Sequence, residues 1–336
     1  MRVLYLVPQR AVEDPNTTQI VGTLVAAGHS VGIIGPLGRT RVGGILNLMY
    51  RAPRIAEKSK PDVILCRDLD TLAAGVRAKR RTGAKLVYWA HDVYQHMVQG
   101  DVPRPLVAYL DRHERGLLPP VDAAIVANEG VRAHLMERCL GLFPALVMLC
   151  RVPEVYFPPL MERRLGYFGT LHKNRFIREM VEAMPAIREG FDDPKPTLTI
   201  AGPRTNDLYD WVESQADGEA VTFLGHIDAD EVLHKTYESD IIVTMLNPAD
   251  RCLRAGLANK VFDAMAVGRA AIGTRGTATG DLIAETGMGV VCDYDPDVYV
   301  SVARMLLRMP EPGTMMGKNA YYAGKTKYNW NIQAEK

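Results

Sequence analysis

The chain has 336 residues, a length typical of two domains of about 150 residues each, and its 47% apolar and 24% charged residues indicate a globular protein. The N-terminal MRVLYLV has too short an apolar run for a signal peptide, and no apolar run approaches the roughly 20 residues of a membrane span, so we expect a cytoplasmic protein. Five cysteines without close spacing indicate neither a disulfide framework nor a metal site.

Positive charge is concentrated in the first half of the chain. Residues 1–160 hold 20 Lys and Arg against 14 Asp and Glu, a net +6, whereas residues 161–336 hold 20 against 25, a net −5. Two basic clusters, RAPRIAEKSK (51–60) and RAKRRTGAK (77–85), are typical either of solvated helix faces or of a surface attracted to an anionic membrane or acceptor. Aromatic residues are not interleaved with this charge, so we do not expect a nucleic-acid partner.

Short apolar runs alternate with longer amphipathic runs along the chain, which predicts βα units and parallel sheets. The predicted strands of the first half are 3–7, 30–34, 62–66, 85–90 and 123–128. A further strand and a proline-rich linker follow within 144–159. The predicted strands of the second half are 164–171, 197–203, 221–227, 240–246, 270–274 and 289–294.

This pattern predicts an α/β protein with two Rossmann-like, doubly wound parallel-sheet domains that face a cleft. We place the first domain at 1–155, the second at 156–315, and a closing helix that returns to the first domain at 316–336. Ligands of such sheets bind beyond the carboxyl ends of the strands.

The stretch NKVFDAMAVGRAAIG (259–273) predicts a short helix with an acidic residue one turn inside it. Asn259 is a good N-cap, and Gly268 suits the residue that ends the helix. The free N–H groups of a helix N-terminus attract phosphate, and Lys260 adds a full positive charge. The carboxylate of Asp263 can accept hydrogen bonds from the two hydroxyls of a ribose. Alternatively, Asp263 only complements the helix dipole.

Several segments, in their order, resemble the retaining GT-B glycosyltransferases of family 4, also described as group 1. They are NKVFDAMAVG (259–268), YFGTLHKNRF (167–176), RDLDTL (67–72) and VYWAHDVY (87–94). The resemblance implies a GT-B fold, a nucleotide-sugar donor in the C-terminal domain and an acceptor in the basic N-terminal domain.

The resemblance also assigns site residues. It implies that Arg175, assisted by Lys260, neutralises the donor diphosphate, that His91 approaches the donor sugar, and that Asp263 binds the ribose. Gly169 would permit close backbone approach to the diphosphate. We therefore predict His91, Arg175 and Lys260 as catalytic and Gly169, Thr170, Asn259 and Asp263 as donor-binding.

Two residues depart from the family pattern. Ala255 stands where the family often has a glutamate that contacts the sugar, and Thr170 stands where a donor-loop arginine often follows the glycine. The sugar is therefore left open. From the residues alone, His91 has a structural alternative, and Asp68 and Asp70 are interpreted as helix caps.

We expect a glycosyltransferase of carbohydrate biosynthesis that moves a hexosyl or related sugar to a hydroxyl acceptor with retention of configuration. The acceptor would be a saccharide, a lipid-linked molecule or another small molecule, and peripheral contact with an anionic membrane is expected. We expect no cofactor and no metal, because the D-x-D runs at 68–70, 228–230 and 293–297 are interpreted as loop and cap residues. The alternatives are a nucleotide-sugar epimerase of the same fold and a non-catalytic nucleotide-sugar-binding protein.

Overall fold

The computed structural model describes residues 1–8, 15–37, 40–98, 102–153 and 162–336. They divide into two compact units, one of Met1–Met148 with Lys336 and one of Leu149–Glu335. Our sequence-based boundary was residue 155. The prolines at 158 and 159, which we assigned to a linker, lie outside the described residues.

The first unit is built on a six-stranded parallel sheet with strand order β2-β1-β3-β4-β5-β6. Its strands are β1 Arg2–Leu6, β2 Ser30–Ile34, β3 Val63–Arg67, β4 Lys85–Ala90, β5 Ala123–Val126 and β6 Ala145–Leu146. Its helices are α1 Pro15–Ala26, α2 Arg41–Ser59, α3 Leu69–Thr82, α4 Tyr94–Val98, α5 Arg104–Leu117 and α6 Glu129–Arg138.

The second unit has a six-stranded parallel sheet with order β12-β11-β10-β7-β8-β9. Its strands are β7 Arg164–Phe168, β8 Thr197–Ala201, β9 Val221–Phe223, β10 Ile241–Thr244, β11 Ala270–Thr274 and β12 Gly289–Cys292. A 3-10 turn, Lys173–Arg175, precedes the helices α7 Ile177–Glu182, α8 Met184–Arg188, α9 Leu208–Gln215, α10 Ala229–Tyr237, α11 Arg251–Ala255, α12 Asn259–Val267, α13 Ala278–Thr286, α14 Pro296–Arg308, α15 Pro310–Thr326 and α16 Trp330–Ala334.

These sheets confirm the predicted α/β class with two parallel sheets. Several predicted strands ran too far at their carboxyl ends, because apolar loop residues continue the apolar pattern after the ladder stops. The clearest case is β7, which ends at Phe168 because Gly169 turns the backbone to φ 148°. In the part of the chain that the structure describes, no helix is long and apolar enough to cross a membrane.

The strand order reverses at one point in each sheet, and such points are where ligands of open α/β sheets bind. In the second unit the reversal lies between β7 and β10, so the loops that follow these strands are neighbours. Their contact is direct: Asn174 Nδ2 donates to Asp250 Oδ2 at 2.9 Å, and the Asn247 N–H donates to the Asn174 carbonyl at 2.9 Å. In the first unit the reversal lies between β1 and β3, so the carboxyl end of β3 borders it.

Gly202, directly after β8, gives the first prediction. A Cβ at this position would lie 2.2 Å from the carbonyl oxygen of Gly169, a distance that real Cβ atoms do not reach. We expect Gly202→Ala to lower the free energy of unfolding by about 1–3 kcal/mol, because the backbone must shift to accept the methyl group. Denaturant unfolding measures this change. Gly116→Ala is the control, because a Cβ there meets nothing within 4 Å; equal effects of the two substitutions would contradict the close approach.

Candidate functional site

The helix α12 begins one residue earlier than predicted. Ala258 is the N-cap, in extended conformation (φ −75°, ψ 123°) and without a side-chain cap, and Asn259 is already the first helical residue and exposed. The predicted Asn259 cap is therefore wrong. The reason is a long-range contact: the Ala258 N–H donates to Thr279 Oγ1 at 3.0 Å, and the same hydroxyl donates to the Gly256 carbonyl at 3.2 Å. The end of the helix was predicted correctly, since Gly268 adopts the left-handed conformation (φ 68°).

Lys260 is buried at the start of this helix. Its Nζ lies 3.1 Å from the centroid of the Tyr167 ring and has no hydrogen-bond partner among the described residues. Burial, together with the positive charge of Arg175, holds the pKa of Lys260 well below its usual value, although Asp263 opposes this shift. The amine therefore has a cation–π contact but lacks a hydrogen-bond acceptor, and an anion can supply one.

The loop after β7 lies against this amine. Gly169 has φ 148°, and a Cβ there would lie 3.6 Å from both Cε and Nζ of Lys260. The Gly169 N–H donates to the Ala201 carbonyl at 2.9 Å. The next residue, Thr170, is exposed, and its carbonyl accepts a hydrogen bond from the Tyr167 hydroxyl at 2.7 Å. The Lys260 side chain thus reaches the backbone turn that was predicted to receive a diphosphate.

Arg175 is the second cation of this region. It ends the 3-10 turn, is partly buried, and its charge acts on both Lys260 and Tyr167. Burial raises the pKa of Tyr167 to about 12, and Arg175 opposes that shift. Two basic side chains therefore converge on one tyrosine ring beside Gly169, and a bound anion would favour the charged form of both.

Asp263 is buried one turn inside α12 and is paired with a residue that our sequence reasoning missed. Its Oδ1 accepts a hydrogen bond from Nε of Arg151 at 2.7 Å. Burial raises the pKa of Asp263, and the charges of Arg151 and Lys260 oppose this rise. Arg151 lies 112 positions away along the chain, in a stretch that we interpreted as strand and linker, and no local pattern marks it as a site residue. An arginine partner also means that Asp263 does more than complement the helix dipole.

His91, the remaining predicted catalytic residue, lies in the first unit directly after β4. Its N–H donates to Asp68 Oδ1 at 3.0 Å, and its ring Nδ1 lies 3.3 Å from the same oxygen. The ring stacks in parallel on Trp89, with centroids 5.7 Å apart. Its Nε2 is buried and has no hydrogen-bond partner within the described ranges. The contact with Asp68 orients the ring and favours a proton on Nδ1.

Asp68 was interpreted as a helix cap, and this interpretation is wrong for its side chain. It occupies the N-cap position of α3 without capping the helix, because its carboxylate is engaged by His91 and lies 3.7 Å from Nε of Arg67. Burial would raise the pKa of Asp68, but His91 and Arg67 outweigh it and hold the pKa below its ordinary value. By contrast, Asp228 and Asp295, in the other two D-x-D runs, cap helices as predicted.

The structure thus brings four predicted residues together in the second unit, grouped about the Lys260 amine. The four are Gly169, Arg175, Lys260 and Asp263. Thr170 and Asn259 are exposed neighbours of this group, whereas His91 belongs to the first unit. Across the described segments, no three His, Cys, Asp or Glu side chains are arranged to hold a metal ion.

Comparison with known families assigns both units. Residues 2–142 match the family model described as Glycosyltransferase Family 4, and residues 162–309 match the model described as Glycosyl transferases group 1. Together the two models cover most of the chain, one in each unit. A search of the curated proteins gave no match.

Solved structures with the same fold include three sugar-related proteins. Sucrose-phosphate synthase from Thermosynechococcus elongatus matches with a TM-score of 0.79 at 14% identity, covering 100% of this chain and 96% of that one. Anabaena HepE in complex with UDP and glucose has a TM-score of 0.74 at 13% identity, covering 100% and 97%. The E. coli trehalose-6-phosphate protein bound with UDP-2-fluoro glucose has a TM-score of 0.71 at 12% identity, covering 100% and 97%. At these identities the likeness establishes the fold, and the predicted GT-B fold is confirmed.

Lys260 gives the second prediction. We expect Lys260→Met to raise the free energy of unfolding by about 1–3 kcal/mol near neutral pH, because a buried amine without a hydrogen-bond acceptor is replaced by an apolar side chain of similar length. Denaturant unfolding of both proteins measures the gain.

The gain should depend on pH in a defined direction. The pKa of Lys260 is depressed in the folded state, so between that pKa and 10.5 the unfolded chain binds more protons and the wild type becomes more stable as pH rises. The advantage of Lys260→Met should therefore shrink as pH approaches 10.5. Lys235→Met on α10 is the control, since Lys235 is ion-paired with Glu238. A stability advantage of Lys260→Met that is constant or grows with pH would contradict the depressed pKa of Lys260.

Proposed function

The chain belongs to the GT-B glycosyltransferases of the group 1 and family 4 type, and we propose that it transfers a sugar from a nucleoside-diphosphate sugar to a hydroxyl acceptor with retention of configuration. The observation that carries this proposal is the buried Lys260 amine, which lacks a hydrogen-bond acceptor and lies beside Gly169 and within the electrostatic reach of Arg175. HepE was solved with UDP and glucose and the E. coli protein with UDP-2-fluoro glucose, and we extend this class of donor to the present chain.

The diphosphate would bind between the turn at Gly169 and the start of α12. Lys260 and Arg175 would donate to its oxygens, and the N-terminus of α12 would add a partial positive charge. Binding an anion here also relieves the repulsion between the two cations. Because negative charge grows on the diphosphate as the sugar leaves, each such donor can lower the barrier by about 3–4 kcal/mol.

Asp263 would bind the ribose next to this diphosphate. It lies three positions after Lys260 on the same helix, and positions three apart share one helix face. A carboxylate accepts hydrogen bonds from two adjacent hydroxyls, whereas a protonated acid does so poorly. The phosphate and ribose contacts would therefore come from consecutive turns of one short helix.

In the reaction, the bond between the sugar C1 and the phosphate oxygen breaks, and a bond between C1 and the acceptor oxygen forms on the same face. The acceptor's proton passes to the departing phosphate. This route needs no separate carboxylate base, and it agrees with Asp263 being held by Arg151. In the first unit, Nε2 of His91 is the ring nitrogen that Asp68 does not engage, and we propose it as a partner for a sugar hydroxyl.

We further propose that no divalent metal is required, because Arg175 and Lys260 supply the positive charge that a metal would otherwise bring to the diphosphate.

The experiment that tests the function incubates the protein with UDP-, GDP- and ADP-sugars and candidate acceptors, with and without EDTA. Two results support the proposal: nucleoside diphosphate is released only when an acceptor is present, and an α-linked donor gives an α-linked product. An isomerised sugar would indicate an epimerase instead, and saturable binding without turnover would indicate a binding protein.

Arg175 gives the third prediction. We expect Arg175→Ala to lower turnover by 10²-fold or more, as expected for a lost donor to a developing oxyanion, while the unfolding midpoint changes little because Arg175 is only partly buried. The matched control is Lys173→Ala, an exposed cation of the same 3-10 turn. Initial rates with the active donor and thermal unfolding measure the two effects. Equal turnover of Arg175→Ala and wild type would remove the diphosphate contact.

A second part of the proposal concerns the acceptor side. On α2 the exposed residues Val42, Leu46 and Tyr50 follow one another at four-residue spacing, and the exposed cations Arg54 and Lys58 lie further along the same helix. The helix α3, with its basic cluster, packs beside α2. We propose that this basic face meets an anionic membrane surface, the apolar row entering the headgroup region and the cations pairing with lipid phosphates. A lipid-linked acceptor would suit this arrangement.

The membrane contact gives the fourth prediction. We expect the protein to co-sediment with vesicles that contain about 30% phosphatidylserine at low salt, and less so at high salt or with neutral vesicles, because polybasic attraction is screened. Leu46→Ser with Tyr50→Ser should lower the bound fraction at least threefold. The control pair is Val298→Ser with Met305→Ser, two exposed apolar residues of α14. Equal binding to neutral and anionic vesicles would exclude the contact.

A further inference from the structure

We propose that Arg151 is a positioning residue of the donor site, which holds Asp263 as a charged carboxylate with one oxygen available to a ribose hydroxyl. This inference rests on the proposed function, because it assumes that Asp263 meets the ribose. It adds a residue that lies outside the segments on which the family resemblance was based.

Arg151 and Asp263 are joined by a single hydrogen bond. Arg151 uses Nε, and Asp263 accepts with Oδ1 at 2.7 Å. The Asp263 side chain is 6% exposed and that of Arg151 is 31% exposed, so the pair lies at the edge of the buried region. Because the arginine engages one oxygen through one nitrogen, the other oxygen of the carboxylate is left for a further donor.

A buried carboxylate needs such a partner to stay ionised. Without one, burial favours the protonated acid, which loses one acceptor and brings an unwanted donor to the ribose. The other cation close to Asp263 is Lys260, whose own charge is disfavoured by burial and by Arg175. Arginine keeps its charge at any physiological pH, so Arg151 is the partner that secures the ionised form.

The backbone of Arg151 is itself fixed. Its carbonyl accepts a hydrogen bond from the N–H of Trp330 at 3.2 Å, and Trp330 is the buried first residue of α16, which Asn329 caps. The preceding helix α15 packs on α12, where Gly324 allows an approach to Met265. The C-terminal segment therefore contacts both α12 and the residue that supports Asp263, and so sets the geometry of the ion pair from both sides.

The test compares the affinity for UDP of wild type, Arg151→Met, Asp263→Asn and the double variant, by calorimetry from pH 5 to pH 8. Arg151→Met keeps the length and apolar stem of the side chain and removes its charge. The carboxyl pKa then rises, so the acid form becomes populated within this range. We expect Arg151→Met to bind UDP at least tenfold more weakly than wild type at pH 5.5, and this ratio to shrink as pH rises; comparing the two proteins at each pH cancels the titration of the UDP phosphate itself, whose second pKa is about 6.

The double variant separates positioning from direct contact. If Arg151 acts through Asp263, the double variant binds UDP no more weakly than Asp263→Asn alone at any pH in this range. A further loss in the double variant would mean that Arg151 touches the nucleotide itself and would overturn the positioning role. Arg178→Met, which removes an exposed arginine of α7, is the control and should bind like wild type.

Different results would overturn the role of Arg151 and the ribose contact of Asp263. Unchanged affinity in Arg151→Met at every pH, with weak binding by Asp263→Asn, overturns the inference and leaves the ribose contact standing. Wild-type affinity in Asp263→Asn overturns the ribose contact. Should Arg151→Met not fold, Arg151→Lys is used: it retains a charge and should bind within about tenfold of wild type at every pH. Affinity that collapses at low pH in the lysine variant would overturn the inference.

Discussion

The buried ammonium group of Lys260 is the feature on which the second unit's site depends. Taking a lysine out of water is costly unless a partner compensates, and here the compensation is a tyrosine ring below it and a carboxylate one turn later. Both partners need exact placement by distant parts of the chain. β7 presents Tyr167, its following glycine lets the loop close over the amine, and Arg151 secures Asp263. The folded chain thus stores positive charge where an anion can use it.

The two units share one arrangement of side chains. In each, a predicted site residue is held by a side chain from a separate segment of the chain. In the first unit the pair is Asp68 with His91, and in the second it is Asp263 with Arg151. In each pair one polar atom is bonded to the partner and another is not: Nε2 in His91 and the second carboxylate oxygen in Asp263. Orientation by a fixed second residue is the usual requirement for a site that must be ready before its ligand arrives.

Local sequence patterns predicted the framework well. Apolar runs of five or six residues, separated by amphipathic stretches, were sufficient to place the strands, and Gly268 marked the end of α12 correctly. The errors came from contacts between distant residues. Asn259 is a favourable cap by type, but Thr279 binds the preceding residue and shifts the start of the helix. Asp68 is a favourable cap as well, yet its carboxylate bonds to His91. Arg151 carries no local signal, because its role exists only once α12 has folded against it.

The backbone at Asp68 (φ 58°, ψ 169°) lies in a region that glycine adopts freely and that side chains with a Cβ resist. A glycine there would relieve a conformational penalty of about 1–3 kcal/mol. The protein nevertheless carries an acid at that position, and the acid's bonds to the histidine must offset the torsional cost locally. The first unit therefore keeps an acid in a strained backbone conformation between β3 and α3, at the one point where its carboxylate can meet both the N–H and the ring Nδ1 of His91.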